Sequence, residues 1–481
     1  VNGLPRLTLA GLSGGAGKTI VSLGLCRAWK NMGLRVRPFK KGPDYIDATW
    51  LGLAAGADAS NLDPFLLEPD VITGLFCDKM AGFDLAVIEG NRGLFDGKDV
   101  AGTCSTAELA RRLRSPVILV LDATKMTRTA AALVMGCATF EPGLNLAGVI
   151  LNRTAGDRHR RILRESIEHY TAVPVLGELP KMPKNPIPER HMGLISNREY
   201  AGQDIILDQL AAFVADWTDM DRLCAIAAAA PELTSPGLPI WPQAAAVASP
   251  PRIGFIRDAA LWFYYPENLE ALERAGARLV ELSLLSEADW PEIHGLYLGG
   301  GFPETQAKAL ADNITVRARV LELSRAGMPI YAECGGFMYL CRELRIGTKS
   351  YPMAGIFPLA TTLCERPQGL GYSQARVVAE NPFHEVGETI KGHEFHYSLC
   401  LAEPRNEGGA GGCAQPLRFA LDMTRGNGMI GGKDGITLDN TFAAYTHIHA
   451  LSAPKWAGRF VAAAAGFAQS LAETAQRHDR D

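Results

Sequence analysis

The stretch Gly11-Leu12-Ser13-Gly14-Gly15-Ala16-Gly17-Lys18-Thr19 has the residue types and spacing for phosphate chemistry. Glycines let backbone N–H groups curl around phosphate oxygens, and the amino end of a following helix favours the anion. Lys18 can then reach the β/γ-phosphates, and Thr19 can ligate Mg²⁺. The flanks agree: a short apolar run, 7–11, reads as a strand entering the loop, and 20–29 reads as the helix leaving it. Gly14, Gly15, Gly17, Lys18 and Thr19 are therefore expected to bind a nucleotide. Magnesium between phosphates needs hard oxygen ligands. Asp44, in Lys40-Lys41-Gly42-Pro43-Asp44-Tyr45-Ile46-Asp47, and Glu89, which opens Glu89-Gly90-Asn91-Arg92-Gly93-Leu94-Phe95-Asp96-Gly97, stand at expected strand ends. Thr19, Asp44 and Glu89 are the expected magnesium ligands, while Lys40 and Lys41 can neutralise phosphates or substrate carboxylates.

A second chemistry is written further along. The expected strand 329–333 runs into Cys334-Gly335-Gly336 and then a helical run. A cysteine on a sharp strand-to-helix turn is exposed, sits near a positive helix end that lowers the thiol pKa, and has backbone N–H groups close by for an oxyanion. Gly299-Gly300-Gly301-Phe302-Pro303-Glu304 follows the preceding strand and offers further free amides. Tyr445-Thr446-His447-Ile448-His449 lies far off in sequence, as the base of a Cys-His pair usually does. Alternation puts His447 and His449 on one face, so spacing leaves the choice of base open. His393-Glu394-Phe395-His396 is not a zinc motif, because its histidines are three apart rather than four.

These side chains need elements to hold them. Apolar runs at 7–11, 35–39, 85–88, 117–121, 146–151 and 173–177 alternate with helix-length segments, the pattern of a mainly parallel α/β sheet. Between about 224 and 252 the composition turns to Ala, Pro and Ser, which reads as a linker. Alternation then restarts, with strands expected at 253–256, 278–282, 295–298 and 330–333 and one helix over 307–325. Past Tyr351 the chain is richer in Gly and short β-like segments, with a flexible-looking loop at 408–412, a late strand over 442–449 and a helix over 457–475. The expected organisation is 1–230, a nucleotide-binding domain; 231–251, a linker; and 252–481, a second α/β domain.

With 481 residues, 47% hydrophobic and 21% charged, the chain reads as an ordinary two-domain globular protein. A net charge of -4 and a pI near 6.3 give no basic face for a polynucleotide. No run is apolar for the ~20 residues that span a bilayer, and no leader pattern opens the sequence. Ten cysteines without a C-x-x-C pair fit a reducing cytoplasm rather than a disulfide framework. A homodimer stays open as the assembly.

Together these motifs resemble the cobyrinate a,c-diamide synthase family. The likeness runs almost end to end, through the long P-loop with Leu12 at the usual first glycine, Gly42 to Asp47, Leu62-Asp63-Pro64, Glu89 to Gly97, Gly299 to Glu304, the Cys334 elbow and Gly392-His393-Glu394-Phe395-His396-Tyr397-Ser398. It implies a dethiobiotin-synthetase-like P-loop parallel-sheet domain followed by a class I glutamine amidotransferase-like α/β domain. It also implies ATP- and glutamine-dependent amidation of a tetrapyrrole polycarboxylate in cobalamin biosynthesis, with Mg²⁺. By the resemblance Cys334 is the nucleophile and His447 its base. Asp44, Ile46, Glu89 and Asp96 line the synthetase site, and Asn152 contacts adenine. Many class I glutaminases carry a Glu two residues after the histidine. Here that place is His449, in keeping with a branch whose Cys-His pair acts without a third acid. Asp47-Ala48-Thr49-Trp50 departs from the proline and histidine expected there. Hydrogenobyrinate and nickel-sirohydrochlorin are rival substrates. A P-loop switch protein is the rival of another class, and Ser13 replaces the lysine such switches carry.

Overall fold

A computed structural model describes residues 3–182, 186–187, 189–190, 193–194, 202–237, 239–243, 249–286, 289–401 and 417–478. The chain divides into two units, Val1–Ile240 and Trp241–Asp481. The expected loop at 408–412 lies outside the described residues.

The first unit is one sheet of seven parallel strands: β1 (Arg6–Gly11), β2 (Val36–Lys41), β3 (Ser60–Leu62), β4 (Leu85–Glu89), β5 (Val117–Asp122), β6 (Leu146–Thr154) and β7 (Val175–Pro180). Their order is β3-β2-β4-β1-β5-β6-β7, and every neighbouring pair is parallel. Strands covered on both faces read as continuous apolar runs, which is why Val117, Ile118, Leu119, Val120 and Leu121 are all buried. Each apolar run expected as a strand is one, extended at its carboxyl end except for β1, with β2 starting one residue and β7 two residues later than expected. The addition is β3, whose sequence Ser-Asn-Leu shows no apolar run; its polar residues are buried because they bond to neighbours. Helix α1 (Lys18–Asn31) buries Val21, Leu23, Leu25 and Trp29, each contributing about 1.5–3 kcal/mol.

This strand order matters for the chemistry. Strands β2, β4 and β1 are adjacent, so the loops leaving their carboxyl ends, 42–44, 90–97 and 12–17, open at one edge of the sheet, where doubly wound folds bind ligands. The Pro-rich stretch after 230 lies on this unit as far as Ile240. The buried guanidinium of Arg6 donates to Leu113 O and Leu4 O at 2.7 Å and to Pro231 O at 2.5 Å, and Ile240 fills the space beside Gly74.

The second unit carries a ten-stranded sheet. Its first half runs Arg278–Leu282, Arg252–Ile256, Gly295–Leu298, Ile330–Glu333, Thr441–Ala444, all parallel. Antiparallel strands then extend it: Lys433–Leu438, Arg418–Arg425, Gly369–Val377, Thr389–His396 and His447–Ile448. Two buried clusters cover its faces, one around Phe337, Tyr339 and Leu344 and the other around Tyr331, Phe442 and Trp456.

Two expectations need correction. The single helix over 307–325 is broken into Ala307–Asp312 and Ile314–Arg325. Asn313 makes the break: its Oδ1 accepts from Val316 N–H, and its Nδ2 donates to Leu284 O and Ser286 O. The late strand over 442–449 is also two pieces, Thr441–Ala444 beside Ile330–Glu333 and His447–Ile448 beside Thr389–His396. Among the described residues, no helix is long and apolar enough to cross a membrane.

Candidate active sites

In the first unit the glycine loop joins β1 to α1. Gly17 takes φ 91° at the helix cap, and a Cβ there would stand 2.1 Å from Asn152 Nδ2, so only glycine fits. Asn152 at the end of β6 donates to Ala16 O at 2.9 Å and accepts from Arg153 N–H. Its visible work is bracing the loop. Lys18 is buried and donates to Ser13 O (3.0 Å) and Arg92 O (2.8 Å), loop carbonyls that hold the ammonium where a phosphate would take it. Burial pulls its pKa down, partly offset by Glu89.

Glu89 and Lys40 form the centre of this site. Thr19 Oγ1 donates to Glu89 Oε1 at 2.9 Å, and Lys40 Nζ donates to the same oxygen at 2.8 Å and to Asp47 Oδ2 at 2.6 Å. Burial alone would strip the Lys40 proton; Asp47 and Glu89 outweigh it and hold the ammonium charged. Glu89 Oε2 is buried without a hydrogen-bond partner. A buried bare carboxylate oxygen beside a threonine hydroxyl is the kind of hard donor set that suits Mg²⁺. Asp44 caps helix α2 (Tyr45–Ala55) by accepting from Asp47 N–H. Burial, and then the charge of Asp47, push its pKa up to about 6. Ile46 is buried in the first turn of α2, and Asp96 accepts from Gly93 N–H at 2.9 Å, closing the 90–97 loop. Asn61 on β3 donates to Gly42 O and Asp44 O, so it shapes the loop that carries Asp44.

In the second unit Cys334 caps the short helix Gly335–Leu340 with φ 47° and ψ -100°. A non-glycine residue held there stores about 1–3 kcal/mol of strain, which fits a functional elbow. The thiol departs from expectation in two respects: it is buried rather than exposed, and that burial, with a contribution from Glu304, pushes its pKa well up rather than down.

The His447 imidazole is buried against a carboxylate, and the Cys334 thiol points at Phe395 O. Nδ1 of His447 lies 3.2 Å from Oε2 of Glu333, the residue directly before Cys334. Gly300 permits the approach, since a Cβ there would stand 2.4 Å from His447 Cε1. His393 stacks on the imidazole at 4.9 Å. His449 turns elsewhere, 3.6 Å from Glu267 and packed on Tyr265. The two histidines that alternation set on one face thus meet different carboxylates, Glu333 and Glu267. Of the glycine amides expected for an oxyanion, Gly299 N–H is already donated to Tyr264 Oη at 2.8 Å. At the elbow, Cys334 N–H is donated to Ala444 O and Gly336 N–H to Gly299 O, and Gly300 and Gly301 pair with Phe263 and Leu261 in a short ladder.

Residues 252–455 match the model of the CobB/CobQ-like glutamine amidotransferase domain, and residues 7–195 that of the CobQ/CobB/MinD/ParA nucleotide binding domain. A cobyrinate a,c-diamide synthase of Magnetococcus marinus is 42% identical over 460 residues, 94% of this chain and 96% of that protein. The chain belongs to the cobyrinate a,c-diamide synthase family. Its members of the same name from Methanosarcina acetivorans and Salmonella typhimurium are 37% and 38% identical, over 98% and 95% of this chain. The family-level fold expectation therefore stands: a P-loop parallel-sheet unit, then a glutamine amidotransferase unit. Within the family pattern, the departure at Ala48 falls inside α2, where Ala48 is buried and Asp47 is already committed to Lys40.

From the sequence, position 333 reads only as the end of a strand and His393 only as part of a motif that is not a zinc site; the structure sets both against His447. For Glu333 a signal was present: a carboxylate closing the otherwise apolar strand Ile330–Glu333, one residue before the nucleophile.

Proposed function

We propose that this chain amidates the a and c acetate carboxylates of cobyrinate, using ATP and glutamine, in cobalamin biosynthesis. The observation that carries the proposal is one chain matching both a nucleotide-binding and a glutamine amidotransferase domain and aligned almost end to end with relatives named for that reaction.

A carboxylate resists ammonia because oxide is a poor leaving group. The carboxylate oxygen therefore attacks the γ-phosphorus of ATP, ADP leaves, and the acyl phosphate so formed is open to ammonia, which expels inorganic phosphate. Backbone amides at Gly14, Gly15 and Gly17 cradle the phosphates, and Lys18 exchanges its carbonyl partners for phosphate oxygens. Lys40, kept charged by Asp47 and Glu89, faces the same crevice as a counter-charge. Thr19, Glu89 and Asp44 would hold Mg²⁺, which supplies charge neutralisation on phosphate oxygens. Ile46 and Asp96 shape the substrate side, and Asn152, which also braces the glycine loop, contacts adenine.

Ammonia comes from glutamine. His447 takes the Cys334 proton as sulfur attacks the side-chain amide carbon; the same proton then goes to the leaving nitrogen, and water hydrolyses the thioester to glutamate. Such a division of labour requires ammonia to travel from the second unit to the first. Among the described residues all nine cysteines are free, which suits a cytoplasmic enzyme with a working thiol.

Assaying ATP hydrolysis, glutamate release and product mass on cobyrinate, hydrogenobyrinate and nickel-sirohydrochlorin tests the proposal. Two carboxylates converted to amides on cobyrinate is the expected result. Amidation of another ring alone replaces the substrate, and glutaminase with no amidated ring rejects the tetrapyrrole. Cys334→Ala is expected to abolish synthesis from glutamine and spare synthesis from free ammonia; loss of both would break the division between the sites.

A further inference from the structure

We infer that Glu333 is the positioning acid of the glutaminase, supplying to His447 Nδ1 the carboxylate that position 449 does not. The inference rests on Cys334 and His447 acting as the glutaminase pair.

A buried imidazole that takes a proton from a thiol needs one tautomer and one orientation. Nδ1 must carry hydrogen and point at a fixed acceptor, so that Nε2 is left bare for the thiol. In many glutaminases of this fold the acceptor follows the histidine by two residues. Here that residue is His449, and its ring is engaged with Glu267 at 3.6 Å and Tyr265, away from His447. The carboxylate that does meet His447 comes from the other partner's strand: Glu333 Oε2, 3.2 Å from Nδ1.

The surroundings of Glu333 are those of an orienting acid rather than a surface ion. It is wholly buried, and its other oxygen accepts from Ile448 N–H at 3.4 Å, which ties it to the strand carrying His447. The hydroxyl of Tyr297 also bonds to it, and Asn268 in turn bonds to Tyr297 Oη at 3.2 Å and to Ile448 O at 2.9 Å. The titratable groups around it are His447, Tyr297, Tyr264 and Tyr331, with Cys334 next in the chain and His393 stacked behind the imidazole. No lysine or arginine bonds to this carboxylate among the described residues, so His447 is the one cation it can meet when it forms. A carboxylate held out of water without a cation is costly. The site keeps one where an apolar residue would continue the strand, and where the imidazolium appears during turnover. Chain geometry makes the arrangement obligatory in register: Glu333 pairs with Ala444, three residues before His447, while Cys334 follows Glu333 directly. The elbow that strains Cys334 thereby carries both the nucleophile and the acid that aims its base.

The test uses the full chain with Glu333→Gln and Glu333→Asp. Glutamine hydrolysis, ammonia-fed synthesis and alkylation of Cys334 by iodoacetamide are each followed against pH. Expected for Glu333→Gln is a fall in kcat of about 10²–10⁴-fold for glutamine hydrolysis with KM little changed, since the acid acts on the base and not on substrate binding. Ammonia-fed synthesis should persist, the alkylation profile should move to higher pH, and Glu333→Asp should recover part of kcat. An unchanged kcat and alkylation profile in Glu333→Gln overturns the proposal. So does equal loss of glutamine-fed and ammonia-fed synthesis in both variants, which would make Glu333 a fold residue only. Failure of the underlying pair looks different: the unsubstituted chain would release no glutamate, or Cys334→Ala would still do so.

Discussion

Lys40 shows how much one buried side chain can hold. Its ammonium is the counter-charge for two carboxylates, Asp47 and Glu89, and Glu89 is itself the partner of Thr19 in the phosphate loop. Removing one member of a buried ion pair leaves the other charge uncompensated, which costs about 3–5 kcal/mol, whereas removing both can be nearly neutral. Lys40→Met is therefore expected to lower the urea midpoint markedly and to abolish ATP-dependent synthesis. Adding Glu89→Gln should restore most of the stability and none of the activity. If the double variant is as unstable as Lys40→Met, the ion pair does not set the stability of this site. The two thiol and ammonium groups at the centres of the sites also behave oppositely. Opposing carboxylates raise the pKa of Lys40, while burial, and then the charge of Glu304, raise that of Cys334 and so favour its neutral form.

At the scale of elements, the phosphate loop is set by contact with a strand far away in sequence. Gly17 sits at φ 91°, where an added Cβ meets the Asn152 amide at 2.1 Å, and Asn152 holds Ala16 O. Gly17→Ala is expected to displace Asn152 and weaken ATP binding at least tenfold, about 1.4 kcal/mol. Asn152→Ala in the same chain should relieve the clash but not the strained φ, so calorimetric titration with ATP should show partial recovery. Equal affinity in Gly17→Ala and the unsubstituted chain would mean the loop does not depend on this contact.

The whole molecule is two units with separate cores, and their stabilities should respond to different residues. Arg6 anchors Leu113, Leu4 and Pro231 in the first unit. His384 in the second packs edge-on to Tyr331 and Phe442 with neither ring nitrogen hydrogen-bonded. Burial, and then the charge of Arg459, depress its pKa to about 3. The unfolded chain takes up this proton below the ordinary histidine value of about 6.5, while the native chain refuses it until about pH 3. Stability is therefore undiminished above that upper value and is lost progressively as pH falls through the window. His384→Phe should raise the melting temperature, with a gain over the parent that grows between pH 6.5 and pH 5. Calorimetry should also separate the units: Arg6→Ala lowers a transition that ATP raises, and His384→Phe moves one that ATP does not. A single transition shifted by both variants would show that the units unfold together.

Much of this molecule is legible in one dimension because much of it is local. Alternating apolar runs announce parallel strands because both faces of such strands are covered, and β1, β2, β4, β5, β6 and β7 all appear where those runs stand. Strand β3 carries polar residues whose bonding partners are distant, so no period marked it. The glycine loop and the Cys334 elbow are likewise written by adjacent residues. The helix break at Asn313 and the turn that splits 441–448 depend on bonds to other segments, and the alternation that set His447 and His449 side by side fails because the last strand stops at Ile448. The sequence by itself determined two α/β units, a phosphate loop and a cysteine elbow, since each is a short-range pattern of backbone freedom and burial. Only the tertiary structure joined Lys40 to Glu89 and aimed Glu333 at His447, 114 residues away, because buried charges choose partners by position in space and leave no period in the chain.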